Sequence, residues 1–204
     1  MLNYNSEETQ SSVLKFEQML KTNLIYFFDA QEFEDIIIHY LGLGENQLAK
    51  KALKLALEQH PSSYELMLLQ SEIFILEEKY ELALEVLEYV EKINPFDEEI
   101  ALQKASISSK KGDHKTSINQ LHQALSISED PLEIWNLLGM EHLLAEEFKE
   151  ASFFFKNCLD NKVGGYKVLL VIMTLRSLEF YLGSLVIQMK SLFFFNFKIF
   201  LKIF

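Results

Sequence analysis

The chain has 204 residues, of which 49% are hydrophobic, and its formal net charge is -11. This apolar content is enough for a sizeable core and excludes a wholly disordered chain. The negative charge argues against nucleic acid as a partner, because binding to a phosphate backbone requires clustered lysine and arginine. A single cysteine excludes an internal disulfide, and the N-terminus lacks a basic start followed by an apolar run. We therefore expect a cytoplasmic protein.

Residues 1–29 are predicted to form an N-terminal tail and capping segment. The first twelve residues are polar and expected to be disordered, and Ser12 is predicted to cap a short helix over Val13–Lys21. The run Leu24–Phe28 is densely apolar, so we expect it to tuck under the element that follows. Asp29 then offers an N-cap for the next helix.

Residues 30–163 show a period of 34 residues. Small residues recur at this spacing at Ala49, Ala83, Ser117 and Ala151, and large apolar residues recur at Leu53, Leu87, Leu121 and Phe155. Pro61 and Pro95 share the spacing and fall where a helix should end. Recurrence of the same residue classes at a fixed period is typical of stacked repeats. The sequence predicts four units, 30–63, 64–97, 98–131 and 132–163.

Each unit is predicted to contain two helices joined by a short turn. Gly44 and Gly112 supply two of these turns, because glycine tolerates the positive φ angle found at helix ends. The second turn, Glu77-Glu78-Lys79, lacks glycine. The predicted helices are Gln31–Leu43, Gln47–Gln59, Tyr64–Leu76, Tyr80–Ile93, Glu98–Lys110, Lys115–Ile127, Leu132–Leu144 and Phe148–Leu159.

The stretch from Trp135 to Cys158 has the spacing Trp-x2-Leu-Gly-x2-aromatic, followed by Ala-x3-Phe. This pattern resembles the tetratricopeptide repeat, with Trp135, Leu138, Gly139, His142, Ala151 and Phe155 at the corresponding positions. The N-terminal order of FEQMLKTN, YFFD and EFEDIIIHYL is similar to small tetratricopeptide proteins of Bacteroidetes-type bacteria. The resemblance implies an all-α, right-handed α-solenoid with an N-terminal helical cap. It also implies a scaffold for protein binding rather than an enzyme.

No sequence motif indicates chemistry. The chain lacks a glycine-rich phosphate loop, a Gly-x-Ser-x-Gly motif, a paired cysteine motif and a His-Glu-x-x-His motif. The five histidines fall at different repeat positions, and His142 and Cys158 are expected to be packed core residues. We therefore expect no catalytic residue, no metal site and no cofactor.

The resemblance further implies a concave groove, lined by the first helix of each unit, that holds a peptide or helix of a partner. The lining is apolar with two acids, so the expected partner carries basic and apolar segments. Family members that clamp a C-terminal carboxylate use Lys, Arg and Asn at several of these places. This chain has Glu34, Ile38 and Glu72 there, so we do not expect it to bind a C-terminal carboxylate in that way. The same residues could instead only stack neighbouring units. The groove positions are Glu34, Ile38, Leu41, Leu68, Glu72, Ile75, Leu102, Ser106, Ser109, Asn136, Met140 and Leu143.

The repeat stops near Gly164, and residues 164–204 form a hydrophobic, cationic tail with five basic residues and one acid. Three interpretations remain open. The tail is a divergent helical cap, or a membrane-associating segment of a membrane-peripheral assembly factor, or the product of out-of-frame translation. Charged residues keep its apolar runs below the roughly 20 residues that a membrane span requires.

Overall fold

The computed structural model describes residues 7–22 and 24–160, and within these ranges the chain is all-α. Residues 1–6 and the tail 164–204 lie outside the described residues, and so do the three interpretations of that tail. The described helices are α1 Glu7–Thr22, α2 Ala30–Gly42, α3 Asn46–Gln59, α4 Tyr64–Leu76, α5 Tyr80–Ile93, α6 Glu98–Lys110, α7 His114–Ile127, α8 Leu132–Leu144 and α9 Phe148–Asp160.

The helices predicted between residues 30 and 160 are confirmed, with ends that differ by at most one residue. The prediction for α1 was wrong, because that helix begins at Glu7 rather than at Val13. Ser12 therefore lies inside α1 and is not its N-cap. Thr9 and Ser12 are both buried, and the Thr9 hydroxyl donates a hydrogen bond to Asp35 on α2 at 3.1 Å. These contacts account for a helical start that the polar sequence did not indicate.

The two helices of each repeat are joined by a turn of one geometry. The residue in the left-handed region is Gly44 (φ 74°) after α2 and Gly112 (φ 79°) after α6, as predicted from their sequence positions. Glu78 (φ 59°) and Glu146 (φ 63°) occupy the same place after α4 and α8. In each turn this residue and the next donate N–H bonds to two carbonyls of the preceding helix, for example Glu78 to Ile75 at 3.1 Å. This pair of hydrogen bonds is the Schellman motif, and here it forms with or without glycine.

Polar side chains begin several of the helices. Asp29 caps α2 in a capping box, in which its carboxylate accepts from the Glu32 N–H and the Glu32 side chain accepts from the Asp29 N–H. The predicted role of Asp29 is therefore confirmed. Asp113 caps α7 by accepting from the Thr116 N–H at 3.1 Å. The pKa of the Asp113 carboxyl is lowered first by hydrogen bonding with the Thr116 side chain and then by this backbone bond.

The described chain divides after Ser128 into two compact units. In the first unit, α2 packs closely on α3, α4 on α5 and α6 on α7, and the first helices of these pairs also pack in sequence, α2 on α4 and α4 on α6. The small residues Ala49, Ala83 and Ser117 are buried where each pair crosses. Helix α1 covers α2, and its Phe16 contacts both Phe28 and Tyr40.

A buried polar cluster joins α4 to α6 within the first unit. The Ser71 hydroxyl bonds to the side chain of Gln103, and both residues are buried. Gln103 Nε2 also donates to the Leu68 carbonyl at 3.2 Å and to Glu99 Oε1 at 2.9 Å. Buried polar groups favour a structure only when they are satisfied in this way, so the cluster fixes how the two helices stack.

In the second unit, the described part is the helical hairpin of α8 and α9. Its helices approach closely at Gly139, where an added Cβ would lie 2.6 Å from Phe155 Cε1. His142 is buried and stacks on Phe154 with ring centroids 5.4 Å apart, and its Nδ1 lies 2.6 Å from Glu147 Oε2. Cys158 is also buried. His142 and Cys158 are therefore core residues, as predicted.

Candidate peptide-binding groove

The predicted groove residues of the first unit lie on three helices that pack one after another. Helices α2, α4 and α6 each contribute three positions with i, i+4 and i+7 spacing, which places the three on one face of each helix. These positions are Glu34, Ile38 and Leu41, then Leu68, Glu72 and Ile75, then Leu102, Ser106 and Ser109. In the second unit, Asn136, Met140 and Leu143 lie on α8.

Burial separates these positions into two groups. Leu68 and Ile75 are only 8% and 4% exposed and belong to the hydrophobic cluster around Leu87. They hold α4 in the core, so little of either side chain remains for a partner. The other seven positions of the first unit are half-buried. In the second unit Leu143 is buried, Met140 is half-buried and Asn136 is exposed.

Glu72 is a half-buried carboxylate between Leu68 and Ile75 on its helix face. Among the described residues, none gives it a hydrogen bond or an ion pair, and burial alone raises the pKa of its carboxyl. A buried charge without a partner is costly, since it loses hydration and gains nothing in return. Glu72 therefore marks a place in the first unit where a cation would be stabilised.

A second carboxylate on the neighbouring helix has a similar environment. The pKa of Glu34 is raised, first by burial and then by the negative charges of Glu65 and Asp35. A weak hydrogen bond from Gln31 Nε2 at 3.4 Å offsets only part of this effect. Helices α2 and α4 thus bring two carboxylates, Glu34 and Glu65, within electrostatic range of each other.

Glu65 was absent from the predicted groove residues, yet the sequence carries a signal for it. Three acids recur at the 34-residue period near the start of the first helices, at Glu65, Glu99 and Glu133. Gln31 occupies the corresponding place in the first repeat. Counting acids by repeat position would have found this row.

Several lysines of the first unit pair with other carboxylates. Lys50 and Lys79 both bind Glu77, while Lys104 binds Glu91 at 2.8 Å. Two further pairs join Lys15 to Glu32 and Lys111 to Glu81, each at 3.2 Å. In the part of the chain that the structure describes, no lysine forms an ion pair with Glu34 or Glu72, so their charge is left uncompensated.

Two recesses of the first unit lie away from these positions. Two adjoining clefts of about 400 and 440 Å³ are lined by α3, α4 and α5 and share Leu57 and Gln70. Both are wide open to solvent and mainly apolar. In the described ranges no cluster of His, Cys, Asp and Glu side chains could hold a metal ion.

Helical hairpins with small residues at their crossings, Schellman turns and a 34-residue period define the tetratricopeptide-repeat fold. Comparison with solved structures supports this assignment. A thermophilic TPR protein of Thermus thermophilus superposes with a TM-score of 0.66 at 22% identity, over 82% of this chain and 90% of that one. PilF of Pseudomonas aeruginosa gives a TM-score of 0.62 at 18% identity, over 85% and 71% of the two chains.

The C-terminal part of a TPR repeat-containing protein from Cytophaga hutchinsonii gives a TM-score of 0.60 at 14% identity, over 84% of this chain and 67% of that one. At these identities the similarity shows the fold and no more. No family model matches the sequence, and no curated protein is similar to it. Among the described helices, none is long and apolar enough to cross a membrane.

Proposed function

We propose that this protein is an interaction scaffold that binds a segment of a partner protein along α2, α4 and α6. The segment carries lysine or arginine next to apolar side chains. The observation that carries the proposal is the half-buried carboxylate of Glu72, which has no partner among the described residues. We expect the protein to act in the cytoplasm.

Burial destabilises the charged form of Glu72, which suggests that the partner supplies a positive charge. A cation from a partner would restore the electrostatic stabilisation that the carboxylate loses on leaving water, and charge-assisted hydrogen bonds are among the strongest in proteins. Glu34 and Glu65 extend the negative potential along the same helices, which would steer a basic segment towards them. The half-buried Ile38, Leu41 and Leu102 offer apolar contacts beside these charges.

The proposal is tested with labelled peptides and charge-only variants. Fluorescence anisotropy would measure binding of the full chain to an array of 15-residue peptides, in which one arginine is flanked by leucines at varied spacing. The counterpart array carries glutamate in place of arginine. We expect Glu72→Gln to weaken binding of the best arginine peptide about tenfold, which corresponds to about 1.4 kcal/mol. The matched control is Glu88→Gln on α5, because Glu88 is exposed and its charge lies outside the row of first helices.

The proposal is contradicted if arginine and glutamate peptides bind alike, or if Glu88→Gln weakens binding as much as Glu72→Gln does. Charged substitutions of Leu68 and Ile75 are unsuitable for this test. Both side chains are buried, so such variants would disturb folding before they disturbed binding.

A further inference from the structure

The segment Leu24–Phe28 between α1 and α2 has one paired backbone edge. The side-chain amide of Gln59 spans two residues of it, since Gln59 Nε2 donates to the Tyr26 carbonyl at 2.9 Å and Gln59 Oε1 accepts from the Phe28 N–H at 3.1 Å. The Phe28 carbonyl lies 2.8 Å from His60 Nε2. An amide that bridges the carbonyl of one residue and the N–H of the second residue after it pairs with the backbone as a neighbouring strand does with extended chain in a β-ladder.

The opposite edge of this segment is open. In an extended chain the backbone groups of successive residues point to alternate sides, so those of Ile25 and Phe27 point away from Gln59. None of the described residues forms a hydrogen bond with them. From Ile25 to Phe28 the side chains alternate too, because Tyr26 is half-buried and Phe28 fully buried whereas Ile25 and Phe27 are 82% and 69% exposed. Leu24, at the start of the segment, is exposed as well. The expectation that the whole run tucks under the first repeat was therefore wrong.

An extended segment with unpaired N–H and C=O groups and exposed apolar side chains is a ready template for pairing with another strand. We propose that this edge, Leu24–Phe28, pairs with the same edge of a second copy of the chain. The two segments run antiparallel and are centred on Tyr26. In this register Ile25 of each copy faces Phe27 of the other, and each facing pair exchanges two N–H···O=C bonds. Every outward backbone group of Ile25 and Phe27 is then satisfied.

Two features favour a second copy over an unrelated strand. The register is self-complementary, as a twofold interface must be. It sets a β-branched side chain opposite an aromatic one, and such cross-strand pairs are stabilising. Because so short a ladder falls below the roughly 1,200 Å² of a standard interface, we expect a weak, concentration-dependent dimer.

Sedimentation velocity of the full chain over a concentration series tests the association. Ile25→Lys places a charge on the open edge, which is how natural proteins protect exposed strands, and should leave the chain monomeric. The matched control is Phe96→Lys, because Phe96 is 81% exposed but follows α5 and has no open strand edge beside it. This control should dimerise like the unmodified chain. Far-UV circular dichroism and thermal midpoints would show that both variants are folded.

Disulfide trapping tests the register. When Ile25→Cys and Phe27→Cys chains are mixed under mild oxidation, the mixed dimer should form several times faster than either homodimer, because in this register residue 25 faces residue 27 of the other copy rather than its own counterpart. Cys158 is 3% exposed and should react slowly. A chain that stays monomeric, a dimer that survives Ile25→Lys, loss of the dimer in Phe96→Lys, or equal trapping rates would each overturn the proposal.

Discussion

Replacing Glu78 with glycine should stabilise the protein by about 1 kcal/mol. Glu78 has a φ angle of 59°, and a residue with a side chain in this left-handed region costs about 1–2 kcal/mol. Glycine avoids that cost but loses about 0.5–1 kcal/mol more backbone entropy on folding, which leaves a net gain near 1 kcal/mol. The Glu78 side chain is exposed and makes no hydrogen bond or ion pair within the described ranges, so the substitution removes no contact.

Urea and thermal unfolding followed by circular dichroism would measure this effect, and a gain of about 1 kcal/mol should raise the midpoint by about 2–4 °C. Gly112→Ala is the reverse control, because an added Cβ meets nothing within 4 Å and only the φ angle of 79° opposes it. Glu77→Gly is the neighbouring control and should destabilise, since Glu77 pairs with Lys50 and Lys79. If Gly112→Ala destabilises while Glu78→Gly has no effect, the strain argument is wrong.

Three further predictions concern the core and the groove and are measured by urea unfolding. Gly139→Ala should cost about 1–3 kcal/mol, because its Cβ would overlap the Phe155 ring, and a second change, Phe155→Leu, should restore part of the loss. Gln103→Ala should cost about 2 kcal/mol by leaving buried partners of its amide unsatisfied, with Ser71→Ala smaller. Glu72→Gln should stabilise the chain at pH 7. Burial raises the pKa of Glu72 in the folded chain, so the free energy of unfolding of the unmodified chain falls as pH rises from the ordinary glutamate pKa through the raised one. In acid Glu72 is protonated in both states, and the stability difference between Glu72→Gln and the unmodified chain should disappear.

The sequence predicted the helices because the period imposes the same physical demand on every hairpin. Ala49 and Ala83 must be small where two helices cross, and both are fully buried. Even the turn at Glu78 formed where glycine was missing, since the hydrogen bonds of the Schellman motif outweigh the strain on one residue. The local sequence therefore predicted each hairpin, and the 34-residue period predicted where each of its helices begins and ends.

The candidate groove was less predictable. Some of its residues are buried in the core and others are half-buried at the surface, and the sequence pattern alone does not distinguish the two cases. Leu68 and Glu72 occupy equivalent faces of α4, but Leu68 is buried against neighbouring helices while Glu72 stays half-buried. That difference depends on how closely successive first helices stack. The outward side chains of Ile25 and Phe27 were likewise hidden from sequence reasoning, because the bonds that orient their backbone come from the distant Gln59.

The buried link between Ser71 and Gln103 bears on how costly it is to bind a partner. Sliding α6 past α4 by one turn would separate the Gln103 amide from the Leu68 carbonyl and from the Ser71 hydroxyl. Buried polar groups without partners are expensive, so the packed arrangement has no neighbouring alternative of similar energy. The spacing between these two helices is thus set before any partner arrives. In the binding mode proposed above, the loss of conformational freedom would fall on the incoming segment and on the half-buried side chains, while the backbone beneath them is already ordered.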